Sequence, residues 1–168
     1  MIESWHIREA LRSRLGSSLV DESGFADPLA DILRSYASYK DTFASLAAKV
    51  EDTLFNMLYD RLGPSMSLRM NDGSFRRFRT AEFKDAADDV MGVFFDQLRV
   101  YSVNYEALQE YALESGSFSA MRVLYTRYGE RMTDEERRTL ARVIRNARPE
   151  SDWKDWLSDS PSSAGGAL

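Results

Sequence analysis

Apolar residues recur along this chain at spacings of three and four, interrupted by glycine and proline, and that pattern reads as a succession of amphipathic helices. Residues 2–15 carry Trp5, Ile7, Leu11 and Leu15 on a roughly helical stripe that breaks at Gly16-Ser17-Ser18, so residues 1–24 are expected to form an N-terminal arm or short helix. Asp27-Pro28 predicts a helix start: the Asp carboxylate can accept an orphan amide, and proline is pre-set for the first helical position. That helix runs from Pro28 toward Tyr39. Phe43, Leu46, Ala47, Val50, Leu54, Met57 and Leu58 then mark a strong amphipathic helix, closed by Gly63-Pro64.

From Ser65 to Thr80 the period changes. Leu68-Arg69-Met70, Asn71-Asp72-Gly73-Ser74 and Phe75-Arg76-Arg77-Phe78-Arg79 read as a two-stranded hairpin turned at Asp-Gly, which needs helices to support it. Thr80 is expected to cap a helix whose stripe, Phe83, Ala86, Ala87, Val90, Met91, Phe94, Phe95 and Leu98, is bulky enough to be core. Asn104 is placed as the cap of the next helix, with Leu108, Tyr111 and Ala112, and Gly116 ends it. Phe118, Met121, Leu124, Tyr125 and Tyr128 mark another helix. Thr133 and Glu136 fit a capping box that opens a helix through Leu140, Val143 and Ile144, stopping near Pro149. The expected fold is all-α, a four-helix type of bundle with a small β-ribbon, as a single domain over 1–157 with a flexible Ser/Gly-rich tail at 158–168.

Composition narrows the chemistry. The 168 residues include no cysteine and a single histidine, His6, which removes disulfides, thiolate nucleophiles, catalytic triads and His-rich metal sites. Asp88 and Asp89 are adjacent, so on a helix they diverge by about 100° and cannot work as a carboxylate pair on one face. Neither a phosphate-binding glycine loop nor a nucleophile elbow is present. No enzyme, cofactor or metal is expected. No apolar run is long enough to cross a bilayer, and Glu3, His6, Arg8 and Glu9 occupy the place of a signal-peptide core, so an intracellular, non-secreted protein is expected.

The net charge of −5 argues against a general nucleic-acid binder, yet the charges are segregated. Arginines 122, 127, 131, 137, 138, 142, 145 and 148 face only acids 130, 134, 135 and 136, and Arg69, Arg76, Arg77 and Arg79 face only Asp72. Such clustering permits a local polyanion site, although arginines spread over a helix are more commonly a solvated face.

Phe25-Ala26-Asp27-Pro28-Leu29 resembles the aromatic-Ala-Asp-Pro-aliphatic turn of tobamovirus coat proteins, the subunits of rod-shaped plant viruses. The resemblance continues in register to residue 96. Phe43, Ala48 and Lys49 fall where the family carries Phe, Ala and Arg. Leu68-Arg69-Met70 with Asp72, Phe75, Arg76, Phe78 and Arg79 is similar to its Val-Arg-Phe-Pro…Phe-Lys-Val-Tyr-Arg ribbon, Asp85 meets an acid, and Phe95-Asp96 falls on its Phe-Asp. Beyond that point Gln97-Leu98-Arg99 replaces a run with two arginines, and the family's Arg-Arg-Val-Asp-Asp helix start has no counterpart.

The resemblance implies a structural coat protein of a helical virion, found in the virion or host cytoplasm, that polymerises with copies of itself and packages single-stranded RNA through phosphate contacts. Lys49, Arg99, Arg122 and Arg127 are the implied RNA ligands. Asp27, Pro28, Arg69, Phe75, Arg79, Asp85, Phe95 and Asp96 are the implied structural and assembly positions, with Asp85 and Asp96 as members of carboxylate pairs across subunit contacts. The competing expectation is a non-enzymatic helical adaptor that holds a protein partner in a groove. A DNA reader ranks last, because the helix from Thr133 has arginines but lacks an obvious turn partner.

Overall fold

The computed structural model describes residues 1–70, 72–98 and 102–157; Arg99 and the expected tail lie outside them. The chain is all-α with one small ribbon, and it divides into two compact units, Met1–Gln97 and Leu98–Leu168, where the sequence pattern suggests one. Among the described residues no helix is long and apolar enough to cross a membrane.

The N-terminal unit contains α1 (Ser4–Leu15), α2 (Ser17–Val20), α3 (Asp27–Arg34), α4 (Phe43–Leu62), β1 (Ser67–Arg69), β2 (Phe75–Arg77) and α5 (Thr80–Asp96). Its centre is α5, which packs on both α1 and α4, while α3 packs on α1 and α4. Seven of the eight residues of the stripe anticipated on α5 form its buried face, Phe83, Ala86, Ala87, Val90, Met91, Phe94 and Phe95, whereas Leu98 lies past the helix end at Asp96 and is half-buried. Phe95 meets Phe43 of α4 edge-on at 5.3 Å, and Phe94 meets Tyr36 at 4.9 Å, geometries favoured by ring quadrupoles.

Of the two expectations for residues 1–24, the helix holds: Ser4–Leu15 form α1, packed into the core and not a free arm. Ile7, Leu11 and Leu15 recur every four residues, so they form one stripe, and that stripe is fully buried. Trp5 departs from it: half exposed, it stacks on His6 at 3.9 Å. The lone histidine serves the helix start, its Nδ1 accepting from the Glu3 amide at 2.9 Å. Arg14 Nε donates to Asp89, which ties α1 to α5.

Three cap assignments change. Ala26 occupies the N-cap position of α3, with Asp27 and Pro28 in its first turn, and the Asp27 carboxylate accepts from Ser4 Oγ at 2.6 Å, joining α3 to α1. Thr80 is the first residue of α5 and Arg79 precedes it as N-cap without a side-chain cap bond. Asn104 lies inside the first turn of α6 (Ser102–Ser115). At α5 the extended conformation of an N-cap falls on Arg79, one residue before Thr80, which a motif alone does not settle. The α3 helix stops at Arg34, short of Tyr39, because Ala37–Asp41 forms a turn in which the Asp41 carboxylate accepts from the Ala37 amide at 3.0 Å. Gly63, at φ +78°, ends α4 as expected.

The ribbon pairs Ser67 with Arg77, Leu68 with Arg76 and Arg69 with Phe75. Opposed residues share a face, so Leu68 and Arg76 point inward with the buried Phe78 beyond them. Arg76 fastens the ribbon: it lies 4.4 Å over the Phe78 ring and donates to the Arg14 carbonyl at 2.7 Å.

The C-terminal unit contains α6, α7 (Phe118–Arg127), a 3₁₀ turn at Gly129–Arg131, α8 (Asp134–Ala147) and a second 3₁₀ turn at Glu150–Asp152. Helix α7 is central, buried along Phe118, Met121, Val123, Leu124 and Tyr125, with α6 and α8 packed against it. The Thr133/Glu136 capping box forms as anticipated. Where α6 and α8 flank α7, an apolar groove of 480 Å³ remains, floored by Met121 and Leu124 and walled by Ala112, Leu113, Leu140 and Val143. Val143 is therefore not core: it stands 46% exposed at the groove, while Ala141 and Ile144 are buried.

Phe95→Ala should cost about 3–5 kcal/mol of unfolding free energy, because its ring is fully buried among aromatics that cannot collapse into the space. Urea titration measures it, and a loss below about 1 kcal/mol would place the core elsewhere.

Candidate nucleic-acid interface

Several arginines of the C-terminal unit lie over aromatic rings instead of only facing solvent. Arg148 is buried, 4.6 Å over the Phe118 ring, with Nη1 donating to Asp152 at 3.2 Å. Arg131 lies 5.2 Å over Tyr105 and 5.8 Å over Tyr128, Arg145 5.8 Å over Trp153, and Arg137 4.3 Å over Tyr125. Long apolar stems and flat guanidinium groups cover aromatic rings that three helices are too few to enclose. Arg138 and Arg142, on the remaining side of α8, are exposed.

Arg127 and Arg137 come together at a concavity of 400 Å³ whose walls include Tyr125, Thr126, Glu130 and Trp156. Each arginine is held from behind. Arg127 Nη2 donates to the Leu98 carbonyl at 2.6 Å, and Arg137 Nη1 donates to the Tyr125 carbonyl at 3.4 Å. Trp156 is set by its indole N–H, which donates to the Asp152 carbonyl at 3.0 Å, and its ring lies 6.3 Å from that of Tyr125. Gly129, a wall of the same concavity, leaves room for Arg137: a Cβ there would lie 1.7 Å from Nη1.

Chemically, two guanidinium groups beside two aromatic rings suit an anion attached to a planar group. Charge-assisted forks take phosphate oxygens, and ring faces take bases. Glu130 opposes the anion and limits the net attraction. Among the described residues no cluster of three or more histidine, aspartate or glutamate side chains is arranged to hold a metal ion.

Of the four RNA ligands implied by the resemblance, only Arg127 lines this concavity. Arg122 shares α7, but five residues separate the two, which turns it about 140° away around the helix, and it is half-buried. Lys49 belongs to the other unit, exposed on α4 with Nζ 3.5 Å from Asp41. The hydrogen bond from the Ala37 amide, aided by Lys49, holds the Asp41 carboxyl below its usual range. Arg99 lies outside the described residues.

The implied assembly positions separate into buried and exposed sets. Phe95 is core and Pro28 sits in the first turn of α3. Arg69, Phe75 and Arg79 are exposed. Asp85 and Asp96 lie eleven residues apart, on one face of α5 but about 16 Å apart along it, so within one chain they do not pair with each other. Each has an interaction of its own, so neither is free. Sequence reasoning missed Arg137, Tyr125 and Trp156 as neighbours of Arg127; the interleaving of aromatics and arginines from Tyr125 to Trp156 carries the signal.

Gly129→Ala should push Arg137 off Tyr125, lowering stability by about 0.5–1 kcal/mol, and Gly129→Ala with Arg137→Ala should be no worse than Arg137→Ala alone. Denaturation of the set tests it; independent, additive losses would separate the two residues. The depressed Asp41 carboxyl adds stability that is fully present above the unfolded value of about 3.9 and lost as pH falls through its lower folded value. The stability gap between the wild type and Asp41→Ala should therefore narrow below about pH 4, and a gap constant down to about pH 2 would remove the charge as its cause. Comparison with family models, with curated proteins and with solved structures finds no match to this chain.

Proposed function

We propose that this chain is a non-enzymatic structural protein that assembles with copies of itself and packages single-stranded RNA through phosphate contacts, as its resemblance to tobamovirus-type coat proteins implies. The observation that carries the RNA contact is the convergence of Arg127 and Arg137 on one concavity with Tyr125 and Trp156. On a protein of net charge −5, a confined cationic site favours local contact over unselective adhesion along the whole surface. Phosphate contacts carry no base information directly, which suits coating a nucleic acid of any sequence.

Self-assembly draws support from exposed apolar side chains in both units: Phe75 is 69% and Leu113 82% exposed. The groove across α7 also favours a second reading, an adaptor for a different protein. A heterologous partner bound at one-to-one stoichiometry by a chain that never self-associates would select that reading.

Arg127→Ala and Arg137→Ala should each weaken binding to unrelated single-stranded RNAs alike, and each should lower the slope of log affinity against log salt by about 0.7. Fluorescence anisotropy across a salt series measures both. A slope unchanged in both variants would sink the phosphate assignment.

A further inference from the structure

Two surfaces in different units complement each other in shape and charge. The outer face of the ribbon carries Arg69, Phe75 and Arg77, since Arg69 opposes Phe75 and side chains two apart on a strand share a face. All three are exposed, and among the described residues none of the three is paired with a carboxylate. A phenyl ring 69% in water between two guanidinium groups is an apolar projection with a cationic collar. The inward anchoring of Leu68, Arg76 and Phe78 holds it out rigidly.

The groove across α7 is the converse. Its floor and walls are apolar, Leu113 and Val143 stand at it in contact with water, and Glu135 and Glu136 line it. Glu110 and Glu114, exposed on α6, flank Leu113 in sequence. Its 480 Å³ accommodates a phenyl ring, and Glu135 and Glu136 among its lining residues carry the charge opposite to arginines beside that ring.

We propose that Phe75 of one copy seats in the α6–α7–α8 groove of a second copy, with Arg69 and Arg77 against Glu135 and Glu136. This deepens the self-assembly reading and rests on it. Because the two surfaces are different patches, the contact is heterologous: a pair keeps one free groove, on the copy that gave its ribbon, and one free ribbon, on the other, so the contact propagates into an open polymer or closes into a ring. The apolar contact supplies the affinity and the charges set the register.

The test uses the full chain carrying Phe75→Asp or Leu113→Asp, both at exposed positions, with Tyr39→Asp, itself 88% exposed and part of neither surface, as a control. Circular dichroism establishes that each variant keeps its fold, and sedimentation velocity reads association. The wild type and Tyr39→Asp should form species that grow with concentration. Either surface variant alone should associate at least roughly 30-fold more weakly, the scale of losing a central aromatic anchor.

The decisive sample is a one-to-one mixture of the two surface variants. The intact ribbon of the Leu113→Asp chain should fill the intact groove of the Phe75→Asp chain, giving a dimer that grows no further. Arg77→Glu should weaken assembly, and adding Glu135→Arg should restore it in part. Surface variants that assemble like the wild type, or a mixture that stays monomeric, would overturn the pairing while leaving RNA protection, and with it the packaging reading, intact. Phe75→Asp that keeps assembly but loses RNA binding would assign the ribbon to RNA instead and also overturn it. A wild type that stays monomeric at every concentration and protects no RNA would overturn the pairing and the packaging reading together.

Discussion

Aromatic burial on two central helices is the interaction on which each unit depends. With no disulfide, each unit relies on close packing, and each builds it around one apolar helix: α5 in the N-terminal unit and α7 in the C-terminal unit. On α5 the supply of partners is ample. Helices α1 and α4 cover it, and Phe43, Phe94 and Phe95 lock edge to face. The ribbon depends on that same core, because two short strands have no stability of their own and rest here through Leu68, Arg76 and Phe78.

On α7 the supply is short, and the consequence shapes the candidate site. Two flanking helices leave Phe118, Tyr125 and Tyr128 partly uncovered, and arginines complete their enclosure by placing guanidinium groups over the rings. A charged group that is used as packing is also held in place. Arg137 is therefore both a lid on Tyr125 and a fixed cation at the concavity, and Gly129 is the residue whose missing side chain lets it serve as both. Many arginines of this segment serve structure by covering rings, and Arg127 and Arg137 converge with aromatic walls in a shape that suits a phosphate and a base.

Incomplete coverage has a second effect. A unit of three helices with α7 at its centre leaves an open flank where α6 and α8 diverge, and apolar side chains that would be core in a larger bundle, Leu113 and Val143, stand in water. The N-terminal unit leaves Phe75 in water for a different reason: period-two alternation on a ribbon covered from one side must turn one of its faces outward. The cationic surroundings of Phe75 and the acidic residues lining the α7 groove differ, and the proposed head-to-tail contact rests on that asymmetry.

By itself the sequence determined the local frame. The α4 stripe with its Gly63 stop, the Asp-Gly ribbon, the α5 core face, the Gly116 break and the Thr133/Glu136 capping box all depend on neighbours within a few residues, and each is where its pattern places it. Tertiary structure decided what those patterns cannot contain. Asp27 bonds Ser4 across 23 positions instead of capping α3, and the stripe of α1 makes it core instead of an arm. The division into two units, and the meeting of Arg127 with Arg137 and Trp156, follow from which helix faces meet. The reason is range: a cap or a turn is chosen by atoms a few bonds away. Whether an arginine is solvated, stacked or poised for an anion depends on rings brought to it from distant parts of the chain.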